Sequence, residues 1–280
     1  MRVAFQGERG AYSEEAVVAR WGAAAEPLPC PYLDSVFDAV EGGGAEVGLV
    51  PVENTIEGSV LRTFDLLYER SLSAQGETIL RVRHCLVANP GVEPGDVRVV
   101  YSHPQALGQS RAYLEGLGAE LVATHDTAAS VRMIKEGCLM DAAAVASRRA
   151  AEHHGMRVLA EGIETHQENY TRFLVVGRGD SPPTGNDKTS VAFITRHEPG
   201  ALARALNALA EAGVNMTKIE SRPQPGRPWQ YIFFVDLEGH RESASVRAAL
   251  DQLGGCTVSL KLLGSYPAAY FSYFSGLLRP

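Results

Sequence analysis

One stretch of turn-forming residues divides the chain into two parts of different character. Gly177 to Asp187 concentrates Gly, Pro, Ser, Asn and Asp and has no apolar periodicity. Before it, short β-rich runs alternate with amphipathic helical stretches, which is typical of an α/β domain. After it, the periodicity predicts the order βαββαβ, the split-βαβ arrangement of a ferredoxin-like domain. We therefore expect two domains joined by a linker at 179–187.

The first part is long enough for two lobes, and the alternation of strands and helices occurs twice within it. We therefore expect two lobes with a ligand-binding cleft between them. The expected bounds are 1–178 for the first domain (lobe one at about 1–77 plus 158–178, lobe two at about 78–157), 188–267 for the ferredoxin-like domain and 268–280 for an aromatic tail.

Composition and charge exclude several classes of protein. The 280 residues include 26 basic and 33 acidic side chains, and the basic ones are dispersed, so no nucleic-acid partner is expected. The apolar runs are far shorter than the ~20 residues that span a bilayer. The first residues lack the long apolar stretch of a signal peptide, which predicts a cytoplasmic protein with no membrane partner. The four cysteines form no C-x-x-C pair, and the histidines show no metal-ligand spacing, so we expect no metal site.

Four polar clusters interrupt the apolar pattern of the first domain, mostly where a strand should end and a helix begin. They are Gln6 to Ser13, Pro51 to Ser59, Tyr101 to Gln109 and Glu168 to Phe173. The two glycines of the first cluster allow a tight turn whose backbone N–H groups could receive an anion, although a plain turn explains them almost as well. In the second cluster Asn54, Thr55 and Ser59 offer neutral donors.

The remaining two clusters leave two residues with open roles. His103 is as suited to orienting its loop as to chemistry. Arg172 enters an otherwise apolar strand, so its charge needs a partner.

These clusters, taken in order, resemble the prephenate dehydratase family, in the single-function bacterial form with a C-terminal ACT domain. In the first domain the resemblance is carried by Ala4-Phe5-Gln6-Gly7, Val50-Pro51-Val52-Glu53-Asn54-Thr55, Ser102-His103-Pro104-Gln105, Asp126-Thr127-Ala128-Ala129 and Asn169-Tyr170-Thr171-Arg172-Phe173. In the second domain, Pro199-Gly200-Ala201-Leu202 and Ile219-Glu220-Ser221-Arg222-Pro223 resemble the family's two phenylalanine-binding motifs. Thr55 stands where many members have serine, which keeps the hydroxyl group. The resemblance runs from Val3 to about Pro267.

The resemblance implies a fold and a reaction. The fold is a two-lobed domain like a periplasmic binding protein, followed by the ACT domain. The reaction is the decarboxylating dehydration of prephenate to phenylpyruvate, water and carbon dioxide in phenylalanine biosynthesis, without metal or cofactor. Because the ring becomes aromatic, the enzyme has chiefly to help hydroxide leave and to hold the substrate without overstabilising the departing carboxylate.

The resemblance also implies roles for single residues. Thr171 corresponds to the family's catalytic threonine and would give a hydrogen bond or a proton to the departing hydroxyl. Arg172 could anchor a substrate carboxylate through its planar fork; its alternative is an ion pair with Glu53 or another acid of the lobe. The other expected substrate-binding residues are Asn54, Thr55, Ser102, Gln105, Gln109, Thr127 and Phe173.

For the ACT domain, the resemblance implies allosteric binding of L-phenylalanine where two such domains pair, in a homodimer or homotetramer. The residues expected near the effector are Gly200, Ala201, Leu202, Asn215, Glu220, Ser221, Arg222 and Pro223.

Two alternatives remain open from the sequence. Arogenate dehydratase acts on a substrate with an amino group where prephenate has a ketone, and no residue distinguishes the two cleanly. A catalytically silent amino-acid sensor would use the cleft and the ACT domain only to bind, and the intact Thr171-Arg172-Phe173 argues against it.

Overall fold

The computed structural model describes residues 1–269, and within them the strands form three separate sheets. The predicted tail at 268–280 therefore lies outside the described residues, apart from Ala268 and Ala269. The strands are β1 (Arg2–Gln6), β2 (Glu26–Cys30), β3 (Val47–Asn54), β4 (Gly58–Ser59), β5 (Ser73–Arg81), β6 (Cys85–Ala88), β7 (Val99–Ser102), β8 (Glu120–Ala123), β9 (Ala142–Ala146), β10 (Arg157–Glu161), β11 (Tyr170–Gly177), β12 (Asp187–Ile194), β13 (Met216–Pro223), β14 (Tyr231–Glu238) and β15 (Ser259–Pro267).

The helices connect these strands in the alternation that the sequence predicts. They are α1 (Tyr12–Trp21), α2 (Leu33–Glu41), α3 (Leu61–Glu69), α4 (Pro104–Gln109), α5 (Arg111–Leu117), α6 (Thr127–Glu136), α7 (Arg148–His154), α8 (Ala201–Glu211) and α9 (Ala244–Cys256), with 3-10 turns at Gly22–Ala24 and Pro94–Asp96. None of the helices within the described part of the chain has the length and apolar character needed to cross a bilayer.

Lobe one is built on a mixed sheet in the order β2-β1-β3-β11-β5, with β4 paired to β3. Strands β1, β2 and β3 run parallel, whereas β11 runs antiparallel between β3 and β5. Val3, Ala4 and Phe5 of β1 are fully buried, as expected for a strand that is covered on both faces. Strand β11 is thus an interior strand of this sheet, hydrogen-bonded to β3 on one side and to β5 on the other.

Lobe two has its own sheet in the order β10-β6-β9-β7-β8, whose central strand β9 is buried throughout. The chain crosses between the lobes at 82–84 and again at 162–169. These crossings correct the expected lobe bounds, since β5 ends at Arg81 in lobe one and β10 begins at Arg157 in lobe two. The sequence from Thr78 to Ala88 has the pattern of one long strand, and periodicity does not reveal that the chain leaves one sheet within it.

The C-terminal unit has the element order β12, α8, β13, β14, α9, β15 and an antiparallel sheet in the order β13-β14-β12-β15. This arrangement confirms the predicted βαββαβ fold. One face of the sheet packs on α8 and α9. On the other face, Ile232 and Phe234 share a core with Phe64 and Leu67 of lobe one. The ACT-like sheet is thus continuous with the core of the lobe that contains β11.

Candidate active site

The cleft between the two lobes has a volume of about 420 Å³ and is lined by polar residues from both. Each of the four polar clusters of the sequence contributes to it. Of the residues predicted to bind substrate or act in catalysis, those that line the cleft are Asn54, Gln105, Gln109, Thr127, Thr171 and Phe173. The loop between the lobes adds His84, and the first cluster adds Tyr12.

Strand β11 presents alternate residues to opposite faces, as strand geometry requires. Thr171 and Phe173 line the cleft, whereas Arg172 between them is directed to the other face of the sheet. Asn54, the last residue of β3, is the register partner of Thr171. The pairing of β3 with β11 therefore places an amide beside the threonine hydroxyl.

The orientation of the Asn54 amide is fixed by its backbone partners. Its Oδ1 accepts hydrogen bonds from the N–H groups of Ile56 at 2.9 Å and Glu57 at 3.0 Å. Its Nδ2 must then be the group that lies 3.0 Å from Thr171 Oγ1, and it donates to that oxygen. The Thr171 O–H remains a donor, and the oxygen that carries it already receives a hydrogen bond that would stabilise negative charge on it.

A second hydrogen-bond network, at the wall of the cleft, joins both lobes. Gln109 Oε1 accepts from Asn169 Nδ2 at 2.8 Å, and it lies 2.8 Å from His84 Nε2. Gln109 Nε2 donates to Glu57 Oε1 at 3.0 Å, which fixes the amide orientation, so His84 must donate through Nε2. Tyr12 Oη lies 2.6 Å from His84 Nδ1 and 3.3 Å from the Arg83 carbonyl oxygen. When the imidazole is neutral and its proton is on Nε2, Nδ1 accepts the hydrogen bond from Tyr12.

Burial favours that neutral form. It lowers the pKa of His84 and raises the pKa of Tyr12 well above its ordinary value. At neutral pH, therefore, Tyr12 keeps its proton and His84 accepts the hydrogen bond.

We expect a measurable pH dependence from His84. Because its pKa is lower in the folded than in the unfolded chain, the unfolded chain binds more protons as the pH falls below about 6.5, and the free energy of unfolding declines. Denaturant titrations of the wild type and of His84→Gln between pH 5 and 7 measure this. The decline should be shallower in the variant, and parallel curves would contradict the assignment.

The cleft is not a site that binds anions through lysine or arginine side chains. Among the described residues that line it there is no lysine or arginine, while Glu57 and Asp126 are acidic. Asp126 caps α6 by accepting from the Ala129 N–H at 2.8 Å, and Thr127 is the first residue of this helix. Helices α1 and α6 both begin at the cleft, so their N-terminal dipoles contribute positive potential.

Three predicted substrate-binding residues do not line the cleft, and two of them, Ser102 and Thr55, use their hydroxyls on the backbone. Ser102 is fully buried, and its hydroxyl donates to the Val145 carbonyl at 2.6 Å. Thr55 donates to the Glu168 carbonyl at 2.9 Å and accepts from the Tyr170 N–H at 3.0 Å, which ties the β3 loop to the start of β11. Both hydroxyls satisfy backbone groups, and we assign them to holding loops rather than substrate.

The prediction that Arg172 anchors a substrate carboxylate is wrong. Its guanidinium bonds to Glu77 Oε2 at 2.6 Å, to Asp236 Oδ2 at 2.7 Å and to the Tyr266 hydroxyl at 3.0 Å. Glu53 lies further away, at 3.7 Å. Burial works to lower the pKa of Arg172, but the Tyr266 oxygen and the carboxylates of Asp236 and Glu77 raise it well above its ordinary value. The alternative, an ion pair with an acid of the lobe, is the arrangement observed: Glu77 of β5 is the partner in lobe one. Asp236 and Tyr266 of the C-terminal unit complete the network.

The sequence interpretation missed His84, Tyr12 and Glu57 as members of the site. Tyr12 and Glu57 stand within the predicted polar clusters, where strand-to-helix position could have singled them out. His84 stands directly after Arg83 in the stretch that has the pattern of one long strand, and no motif in the sequence marks it.

The predicted effector residues fall into two groups. Gly200, Ala201 and Leu202 line a hollow of about 590 Å³ beside Trp229 and Tyr231. The remaining five lie outside its lining: they are Asn215, Glu220, Ser221, Arg222 and Pro223.

Along β13 the side chains alternate between two surroundings. Glu220 Oε2 accepts from the hydroxyl of Ser59, a residue that lines the cleft, at 2.5 Å. Arg222 pairs with Asp65 of α3 at 2.6 Å. Ser221 and Pro223 are exposed. One half of this motif therefore contacts lobe one, and the other half is open to solvent.

Comparisons with known proteins agree with this architecture. Residues 3–181 match the family model of prephenate dehydratase, and residues 189–255 match that of the ACT domain. A bifunctional chorismate mutase/prephenate dehydratase of Neisseria gonorrhoeae is 40% identical over 271 residues, which cover 96% of this chain and 75% of that protein.

Two solved structures are similar over nearly the whole chain. Prephenate dehydratase from Arthrobacter aurescens, in complex with L-Phe, has a TM-score of 0.88 and 33% identity and covers 95% of this chain and 90% of its own. GqqA, described as a novel type of quorum quenching acylase, has a TM-score of 0.89 and 37% identity and covers 96% and 98%. From its family models, its relatives and its two-domain architecture, this chain belongs to the prephenate dehydratase family and carries an ACT domain.

Proposed function

We propose that the cleft catalyses the decarboxylating dehydration of prephenate to phenylpyruvate, water and carbon dioxide. The single observation that supports this assignment is the position of the Thr171 hydroxyl. It lines the cleft, its oxygen accepts a hydrogen bond from Asn54, and its proton is available to a substrate. Threonine is a weak acid at neutral pH. The proton must therefore move while the C–O bond breaks, and the Asn54 amide stabilises the charge that develops on Oγ1.

Neutral groups suit the rest of this reaction. Gln105 and Gln109 of lobe two and Thr127 of α6 supply hydrogen bonds without placing a fixed cation beside the carboxylate that departs. Phe173 adds an apolar surface for the ring. The substrate's two halves would thus be oriented by groups from both lobes.

The alternatives have less support. Arogenate as the preferred substrate is not favoured, since the family model, the Neisseria gonorrhoeae relative and the Arthrobacter aurescens structure are named for prephenate. A silent sensor would have no use for the Thr171 hydroxyl held by Asn54 as a donor. For acyl hydrolysis, Ser59, one of the two serines that line the cleft, is poorly placed, since it donates to Glu220 while both ring nitrogens of His84 have other partners.

We place the enzyme in the cytoplasm. Cys30, Cys85, Cys138 and Cys256 are all free thiols, as is usual in a reducing compartment.

We also propose that two ACT domains pair and bind L-phenylalanine between them. Ile219 and Tyr231 are exposed large apolar residues on neighbouring strands at one edge of the ACT sheet, and the exposed Trp229 lines the hollow beside Tyr231. A second copy could cover this patch and bring its Ser221 and Pro223 to the hollow at Gly200. Phenylalanine would then inhibit by binding the less active arrangement more tightly.

The direct test of the reaction follows phenylpyruvate formation from prephenate by the purified chain, with and without L-phenylalanine. Turnover that L-phenylalanine lowers would support both domain assignments. Folded protein that turns over neither prephenate nor arogenate would leave the sensor as the better description.

The pairing surface can be tested separately. Ile219→Arg places a charge in the centre of the proposed contact, so we expect the assembly to fall apart into single chains and the phenylalanine effect to disappear. Sedimentation velocity with and without L-phenylalanine measures the first, and prephenate turnover the second. Val258→Arg, at a somewhat more exposed apolar position of the same domain, is the control. An Ile219→Arg chain that sediments as the wild type does would refute this surface.

A further inference from the structure

Two glutamine side chains of lobe two form a receptor for one carboxylate. Gln105 and Gln109 lie four residues apart on α4, so they project from the same face of the helix. Gln105 Nε2 lies 3.3 Å from Glu57 Oε2, and Gln109 Nε2 lies 3.0 Å from Glu57 Oε1. Each amide thus donates to a different oxygen of the same carboxylate, across the cleft.

The Gln109 half of this receptor is held in place by its surroundings. The carbonyl oxygen of Gln109 is engaged by His84 at 2.8 Å and by Asn169 at 2.8 Å, and both of these side chains are buried. The Gln109 amide nitrogen therefore has to face Glu57 and the cleft. A donor that is fixed in this way costs little reorganisation when it binds an anion.

The charges make the arrangement significant for the substrate. Prephenate brings two carboxylates into a cleft whose lining, within the described residues, contains no lysine or arginine. The two amides of α4 are suited to one of these carboxylates, yet Glu57 already holds both. A substrate carboxylate that binds there must displace a like charge that stays nearby.

We propose that Glu57 is a specificity-determining residue that competes with a substrate carboxylate for the Gln105 and Gln109 amides. This proposal rests on the proposed function, since it concerns the same cleft and the same substrate. Once displaced, Glu57 disfavours a dianionic 2-oxo acid and favours a substrate that carries an ammonium group. Glu57 does not take part in the bond-breaking step.

The test compares Glu57→Gln with the wild type on prephenate and on arogenate. The variant removes the charge and keeps the size of an exposed side chain, so folding is not at risk. We expect KM for prephenate to fall about fivefold, and the ratio of kcat/KM for prephenate to that for arogenate to rise about tenfold. Glu69→Gln, on the exposed surface of α3, makes the same change in net charge and should move neither quantity by as much as twofold.

The outcomes separate this proposal from the proposed function. Prephenate turnover by the wild type tests the proposed function alone. The KM and the kcat/KM ratio of the variant are then compared with those of the wild type. An unchanged or higher KM in Glu57→Gln would overturn the proposal, as would a loss of kcat larger than the change in KM, since Glu57 would then act in the chemical step. A matching response in Glu69→Gln would show that only net charge matters and would overturn it too.

Discussion

Replacing Thr171 by valine should lower kcat for prephenate by about 10²- to 10⁴-fold, the range usual for losing a positioned proton donor. Valine has the same shape, so Phe173 and the β3–β11 pairing should stay in place. What is lost is the hydroxyl that donates to the leaving group, together with the oxygen that receives the Asn54 hydrogen bond at 3.0 Å. Steady-state kinetics with prephenate measure the effect, and KM should change far less than kcat.

Thr171→Ser is the matched control for this prediction. It keeps the hydroxyl and removes only the methyl group, so it should retain most of the turnover, with a modest loss because the serine rotamer is less restricted. If valine and serine variants were equally active, the proton would have to come from water or from another cleft residue such as His103.

Arg172→Met should be the most destabilising single change at the domain interface. The side chain is 12% exposed, so the variant leaves the buried Asp236 carboxylate without this cation, and it leaves the fully buried Glu77 with only Lys188, whose Nζ lies 2.9 Å from Glu77 Oε1. Breaking a buried ion pair on one side costs about 3–5 kcal/mol of unfolding free energy. We expect a loss of this size in equilibrium denaturation, and a fall in kcat because β11 loses its anchor next to Thr171.

Arg62→Met provides the comparison for Arg172→Met. Arg62 forms ion pairs with Asp34 and Glu69 on the surface, where both partners are well exposed. Removing it should cost less than about 1 kcal/mol. Equal losses in the two variants would mean that the buried network contributes no more than a surface pair does.

The fold was largely predictable from the sequence. The α/β alternation, the βαββαβ order after Asp187 and the two-lobed fold implied by the family motifs are all present in the structure. These features depend on local periodicity and on turn chemistry, which a single sequence carries. The lobe bounds were less accessible, because the chain leaves one sheet for another within the stretch from Thr78 to Ala88, whose pattern is that of one strand.

The candidate site was predictable in part, and Arg172 shows where the limit lies. Alternation along β11 could have indicated that Thr171 and Arg172 face opposite sides of the sheet. Only the structure shows that Asp236 and Tyr266, more than sixty residues away in sequence, accept hydrogen bonds from Arg172 on the other face of the sheet. Ser102 and Thr55 illustrate the same limit, because a hydroxyl that satisfies a backbone carbonyl looks the same in sequence as one that binds substrate.

The packing of the ACT sheet on lobe one also restricts how such chains can evolve. Lys261 of β15 donates to the carbonyls of Leu67, Tyr68 and Arg70 at the end of α3, and the apolar face around Phe234 completes the lobe's core. A regulatory domain acquired by recombination would meet a surface shaped for another partner. We therefore expect that exchanging this domain for the ACT domain of a relative would also need compensating substitutions in α3 and β11.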